Sequence, residues 1–444
     1  MTKWLHIGAG NLFRIYLGRL WQDMLDKGLT DTGLAVWEGF DPEIIEKSFT
    51  PFDNKSIGVI LNSNGEIDIK TISSITHAFT DTNELYNIMS NSSLQAVSLT
   101  ITEKGYKSDN PIMEHITTGL YHRYKKGSPP IAIVSLDNFS SNGKVLGDIC
   151  LEIAKHKYDK DFINYLSLQA FPWTMIDKIT PAPAKIIADK LNMDIILTKK
   201  GTLTAGFVNA ESSQYLVIED NFPNGRVPLE KVGVFLTDRQ TVLKADEMKV
   251  CCCLNPLHTI LAICGKLLGI ERVYECMQHS GIVKLLQASA NEALPTVESP
   301  GIIDPKEFLN EVLTQRFTNP FIPDTTERIV TDTSQKIPVR FGVTLKKLGG
   351  KSKVIPLVIA LWLRYMMGLD DNGKQIKLVP DPKAPESVRA LEGQPLGCNI
   401  NISEMAKGVL TCTDEFIEDV QKYFNKLSSK IGAVEEELNE QNQL

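Results

Sequence analysis

Several classes of protein are excluded by what this 444-residue chain has little of. Its eight cysteines form no Cys-x-x-Cys pair. Three of them, Cys251, Cys252 and Cys253, are consecutive, so neither a disulfide framework nor a zinc-ligand spacing can be drawn. A reducing, cytoplasmic setting is expected from that usage, and no metal. Basic residues are in deficit: 47 Lys and Arg against 54 Asp and Glu leave a formal net charge of -7, where a nucleic-acid binder would carry a basic surface. The apolar run from Val354 to Gly368 contains Pro356 and Arg364 and is too short to span a bilayer, so it reads as a buried helix. The opening MTKWLHIGAGN enters a strand-like segment directly, so no signal peptide is expected, and no internal repeat is found.

What is present is ordinary for a globular enzyme-sized chain: 43% hydrophobic and 23% charged residues, at a length that favours two domains. Residues 4–8 read as a short buried strand, followed by Gly8-Ala9-Gly10-Asn11 and a helix-period stretch from Leu12 to Leu25. A second strand, Leu34 to Trp37, completes a β-α-β opening, which favours a parallel sheet. Residues 56–80 alternate around the turn signal Ser63-Asn64-Gly65 and read as an inserted antiparallel hairpin. Further strands are expected at Ala96–Thr102, Ile131–Leu136 and across 196–236. Beyond about 240 helical periods dominate, at 240–269, 270–291, 305–316, 353–368, 384–392 and 413–429. An α/β domain over 1–245 and a mostly α-helical domain over 246–444 follow, with a charged tail, EEELNEQNQL, expected to fray.

Gly8-Ala9-Gly10 lies between a strand and a helix, where a dinucleotide pyrophosphate rests on backbone N–H groups and the positive helix end. The third glycine of the usual fingerprint is replaced by Phe13, and the same residues also fit an ordinary turn. Gly8, Ala9, Gly10, Asn11 and Phe13 are the candidate cofactor residues. Glu38 or Asp41, after the second strand, would accept from a ribose hydroxyl, favouring NAD and leaving NADP open. A solvated acidic loop, or a helix cap at Asp41-Pro42, is the alternative.

The densest chemistry lies in Lys249-Val250-Cys251-Cys252-Cys253-Leu254-Asn255-Pro256-Leu257-His258. Reducing a ketone places negative charge on oxygen, which calls for a proton donor and for groups that hold that oxygen. A buried lysine supplies the first, an asparagine and a neutral histidine the second, and Asn255 and His258 share a helical face. Lys…Asn-x-x-His resembles the catalytic helix of the long-chain mannitol dehydrogenase family, which includes mannitol 2-dehydrogenase, fructuronate reductase and tagaturonate reductase. Other segments are similar in order: Ile7–Asn11 with Arg14; Ser98–Glu103 before Gly105-Tyr106; Ser135-Leu136-Asp137-Asn138 with Asn142-Gly143; Phe171–Pro181; and Ile218–Phe222 with Gly225-Arg226.

The resemblance implies a Rossmann-type N-terminal domain, a helical C-terminal domain, a cleft active site and a metal-independent oxidoreductase acting on a small polyol or sugar acid. It also implies roles: Lys249 as general acid/base, Asn255 and His258 on the reacting oxygen, Asn138 as the active-site asparagine after a strand, and Lys336 and Asp177 toward substrate. One departure stands out. Lys249 is six residues before Asn255 where the family has five, and one added residue turns a side chain by about 100° on an ideal helix. A π-bulge or kink between 250 and 256, where Pro256 lacks its N–H, is expected to absorb it. A surface lysine, a core histidine and Asn255 as an N-cap are the bland alternatives. The consecutive cysteines read as packing.

A hexuronate needs a cation for its carboxylate, and Arg316, Arg328 and Arg340 lie in the segment that holds Lys336. Ordinary ion pairs would account for them equally. The reading is a fructuronate-reductase-like, mannonate-forming enzyme. The alternatives are mannitol 2-dehydrogenase and a non-catalytic dinucleotide-binding relative.

Overall fold

The computed structural model describes residues 2–440, and the chain divides into two compact units, Met1–Leu243 and Lys244–Leu444. In the first unit, strands β1 (Trp4–Ile7), β2 (Leu34–Trp37), β5 (Ile75–Phe79), β6 (Ala96–Leu99) and β7 (Ala132–Ser135) form a parallel sheet in the order β5-β2-β1-β6-β7. Successive residues feed opposite faces. Trp4, Val36, Ala96 and Val134 enter one apolar core and Leu5, Trp37, Val97 and Ile133 the other, so the sheet is buried on both sides.

The hairpin is present as β3 (Ser56–Leu61) and β4 (Ile67–Ile72), paired antiparallel, with β3 also parallel to β11 (Phe207–Glu211). The expectation of one hairpin over 56–80 is corrected at its end, because β5 leaves β4 to pair with β2. Two smaller groupings complete the unit. β9 (Ile195–Leu197) and β10 (Leu203–Ala205) form a hairpin, and β12 (Tyr215–Glu219) lies between β8 (Thr174–Asp177) and β13 (Phe235–Thr237).

The second unit is helical. Its central helix, Asn255–Leu268, follows a π turn, Lys249–Cys253, closed by a hydrogen bond from Leu254 N–H to Lys249 O at 3.2 Å. The stretch Arg239–Leu268 is long and apolar enough to cross a membrane by composition alone, but 83% of its most apolar window is buried inside the protein, as in a core helix. All twelve residues of helix Ile355–Met366 are buried, and the Arg364 guanidinium within it donates to the carbonyls of Leu369, Asp370 and Leu427. The charged tail corrects its expectation: helix Ala433–Glu440 forms because Val434 and Leu438 bury fully on one face and Asp371 accepts from the Val434 and Glu435 amides. Its last four residues lie outside those described.

Candidate functional site

Each unit carries its own candidate site. In the first, a cavity of about 780 Å³ opens at the C-terminal ends of β1, β2 and β6, where the strand order reverses. Gly8, Gly10, Glu38, Phe40, Thr100 and Thr102 are among the residues that line it. Gly8 is wedged between two strand ends. Its N–H donates to Trp37 O at 2.9 Å, its φ is +100°, and a Cβ there would lie 2.4 Å from Thr100 O. Gly10 has open space where its Cβ would stand. The first helical hydrogen bond runs from Arg14 N–H to Gly10 O at 3.2 Å, so the N–H groups just before it have no helical acceptor.

Glu38 is buried and organises the loop. Its Oε2 accepts from Ala9 N–H at 2.7 Å, and its Oε1 accepts from the amides of Phe40 and Asp41 at 2.8 and 2.9 Å. Opposite outcomes meet the other candidates. Asp41 does not reach the cavity: its carboxylate is buried and accepts from the Thr198 hydroxyl at 2.7 Å. Phe13 lies buried on His6, rings 4.1 Å apart and 7° from parallel, filling by stacking the place where a third glycine would let helix and strand close. Asn11 is half-buried at the first position of the helix. Arg14, inside a π turn at Phe13–Leu17, donates through Nε and Nη2 to Ser56 Oγ, and burial draws its pKa down to about 9. Asn138 is exposed. Asp177 is buried at the end of β8, and its charge, after burial itself, helps to raise the Tyr16 phenol.

The second unit gathers Asp324, Arg328 and Arg340 around His258. Lys249 is fully buried at the start of its π turn. Asn255 is the first residue of the following helix, capped by Leu254, so the N-cap reading does not hold for it. Among the described residues nothing hydrogen-bonds its side-chain amide, while its carbonyl accepts from Arg340 Nη1 at 3.0 Å. The His258 ring stacks on Phe317 at 5.1 Å, and its Nε2 lies 3.1 Å from Asp324 Oδ2. Burial pushes the imidazole pKa down against the pull of Asp324, which favours the neutral ring.

Asp324 had no place in the sequence reading, yet it anchors this cluster. Arg328 grips it through Nε at 2.7 Å and Nη2 at 2.8 Å. Burial alone would lift its carboxyl, but His258 and Arg328 together hold it well below the usual carboxylate range. The one signal available was the four-residue spacing of Asp324 and Arg328. Lys336 and Arg340 lie a turn apart on helix Thr333–Lys347, which continues through Pro338. Lys336 Nζ donates to the carbonyls of Ile329 and Thr331, and Arg340 also reaches Thr259 Oγ1. Burial and the neighbouring Arg340 charge lower the Lys336 pKa to about 8. Arg316 is buried in a third π turn, Val312–Arg316. No group of three or more metal-ligating side chains occurs among the described residues.

Comparison with known proteins follows the same division. Residues 2–231 match the mannitol dehydrogenase Rossmann domain and residues 241–428 the mannitol dehydrogenase C-terminal domain. A D-mannonate oxidoreductase of Thermotoga maritima is 45% identical over 86% of this chain and 79% of its own length. A mannitol 2-dehydrogenase of Emericella nidulans is 28% identical over 86% and 81%. Among solved structures, D-sorbitol dehydrogenase in substrate-free form superposes with a TM-score of 0.84 at 22% identity, covering 97% of this chain and 94% of that one. Pseudomonas fluorescens mannitol 2-dehydrogenase, solved as a ternary complex with NAD and D-mannitol, gives 0.78 at 24%, covering 99% and 94%. With both domains matched in order and a relative this similar across most of its length, the chain belongs to the mannitol dehydrogenase family of oxidoreductases.

Proposed function

We propose that the protein is an NAD-dependent oxidoreductase that interconverts a keto-uronate of the fructuronate type and its mannonate-type alcohol. The observation that carries the substrate class is the cationic set Arg328, Lys336 and Arg340, of which Arg328 and Arg340 both act on His258 and on Lys336, with Asp324 as a close counter-charge. Arg340 and Arg328 both depress the Lys336 ammonium, and a substrate carboxylate would relieve that repulsion. A neutral polyol would not. The 45% identity to a D-mannonate oxidoreductase points the same way.

The first unit's cavity fits a dinucleotide: unspent amides at a helix start, room beside Gly10, and a buried carboxylate next to the ribose position. Gly8, Gly10 and Glu38 would hold it, and when bound it supplies the two-electron redox partner. Glu38 favours the unphosphorylated ribose of NAD. Lys200, whose ammonium lies 4.4 Å from the Phe40 ring, is the group a 2'-phosphate would meet, so NADP is tested alongside.

Proton handling falls to the second unit. Lys249, taken out of water by full burial, passes the proton to and from the reacting oxygen. The Asn255 amide donates to that oxygen. His258, with its Nε2–H directed at Asp324, presents Nδ1 as an acceptor for a substrate hydroxyl. The π turn supports this assignment, because it takes up the extra residue between Lys249 and Asn255.

The test is NADH and NADPH oxidation, followed by absorbance, with fructuronate, tagaturonate, fructose and fructose 6-phosphate in parallel. Turnover of a hexuronate well above that of fructose is expected. Preference for fructose would move the protein to the polyol branch. Cofactor binding without turnover on any of the four would leave a binding relative that lacks the chemistry.

A further inference from the structure

Glu38 and the glycine turn account for one wall of the first unit's cavity. The opposite wall runs through Thr100–Gly105 and holds an unusual backbone. Thr102 has φ +65° and ψ 154°, a region that glycine occupies and that a β-branched residue avoids. One side chain fixes it. The Asp137 carboxylate accepts from Thr102 N–H through Oδ1 at 2.9 Å and from Ile101 N–H through Oδ2 at 3.0 Å. The Tyr106 hydroxyl donates to the same Oδ2 at 2.7 Å, and Thr102 O accepts from Gly105 N–H at 2.9 Å to close the turn. Asp137 and Tyr106 are both buried, whereas Asn138 beside them is exposed.

We propose that Asp137 is a positioning residue for the dinucleotide, locking Ile101 and Thr102 into a cavity wall that exists before the ligand arrives. This rests on the dinucleotide reading given above. It accounts for the pairing of two sequence motifs that no catalytic role absorbs: Thr100-Ile101-Thr102 with Gly105-Tyr106 supplies the donors, and Ser135-Leu136-Asp137 supplies the acceptor. Ser135 Oγ, 2.5 Å from the Tyr106 hydroxyl, ties the two together again. Preorganisation of this kind raises affinity because the ordering cost is met in folding.

The experiment is an NADH titration by fluorescence on the wild type, Asp137→Asn, Thr102→Gly and the double variant, with thermal melts on the same samples. Asparagine keeps the shape of aspartate but turns one acceptor into a donor, so it cannot satisfy both amides. Asp137→Asn is expected to weaken NADH binding about tenfold or more. Thr102→Gly is the reference for the double variant: adding Asp137→Asn to it should cost far less affinity than the same change costs the wild type. The double variant should also bind more tightly than Asp137→Asn alone, because glycine takes this φ without a clamp. A merely structural carboxylate would show no such rescue. Wild-type affinity in Asp137→Asn, or a double variant no tighter than the single one, overturns the proposal. If Asp137→Asn does not fold, a folded, NADH-binding double variant supports it and an unfolded one overturns it. A wild type that does not bind NADH overturns the dinucleotide reading, and this inference with it.

Discussion

The cavity of the first unit and the cluster of the second handle charge by opposite means. In the first, buried carboxylates serve the backbone: Glu38 accepts from three amides and Asp137 from two, and the surface left for a ligand joins the glycine turn to apolar side chains such as Phe40, Ile44 and Ile101. In the second, carboxylate, imidazole, guanidinium and ammonium groups gather from separate helices, and backbone carbonyls only hold the cations in place. Both nevertheless start from a π turn, Phe13–Leu17 in one and Lys249–Cys253 in the other. The first begins at Phe13, which replaces the third glycine of the usual dinucleotide fingerprint, and the second lies where one residue is added to the family's spacing between lysine and asparagine. A π turn takes one more residue than an α turn, which matches the residue added before Asn255.

The contrast is broken most severely at the backbone-built site. Gly8→Ala places a methyl group against Thr100 O at a positive φ, and about 2–5 kcal/mol of stability is expected to be lost, with NADH binding, in melts and titrations. In the second unit, removing a charge should spare the fold and strike one substrate class. Lys336→Met is expected to raise the hexuronate KM by roughly tenfold to a hundredfold while leaving the KM for a neutral ketose within a few-fold. A rise in both KM values alike would remove the case for a carboxylate site.

The pH dependence sharpens the same point. Burial and Arg340 bring the Lys336 pKa down to about 8, so its positive charge is present below that pH and fades above it. The hexuronate KM should therefore rise as pH climbs through about 8, and the neutral ketose should not follow. The smallest effect is expected inside the π turn itself. Cys252 is buried and raises no chemistry of its own, so Cys252→Ala should cost about 1 kcal/mol in a denaturant melt and leave kcat unchanged.

What could be read from the sequence follows the same divide. The parallel strands were legible because short apolar runs end in glycine or acidic turns, and Gly8 and Glu38 stand where that pattern puts them. Asp41 looked equivalent to Glu38. Only the fold, which brings Thr198 against its carboxylate, separates the two. β5 was misread because an alternating segment pairs equally well with a hairpin partner or with a parallel sheet edge. Helix Thr333–Lys347 escaped notice because Pro338 signals a break, although the helix continues through it. Asp324 was invisible for a different reason: its pairing with His258 joins segments far apart in the chain, and no periodicity records such a contact.

The role given to Lys249 is tested most directly by comparing wild-type protein with Lys249→Ala in NADH oxidation with fructuronate, measuring the NADH Kd on the same samples. The expected result is an unchanged Kd with kcat lower by roughly 10²–10⁴-fold, the range of a lost general acid/base. Turnover that survives the substitution would contradict it, and would mean that the π turn carries Lys249 into the core as a packing residue.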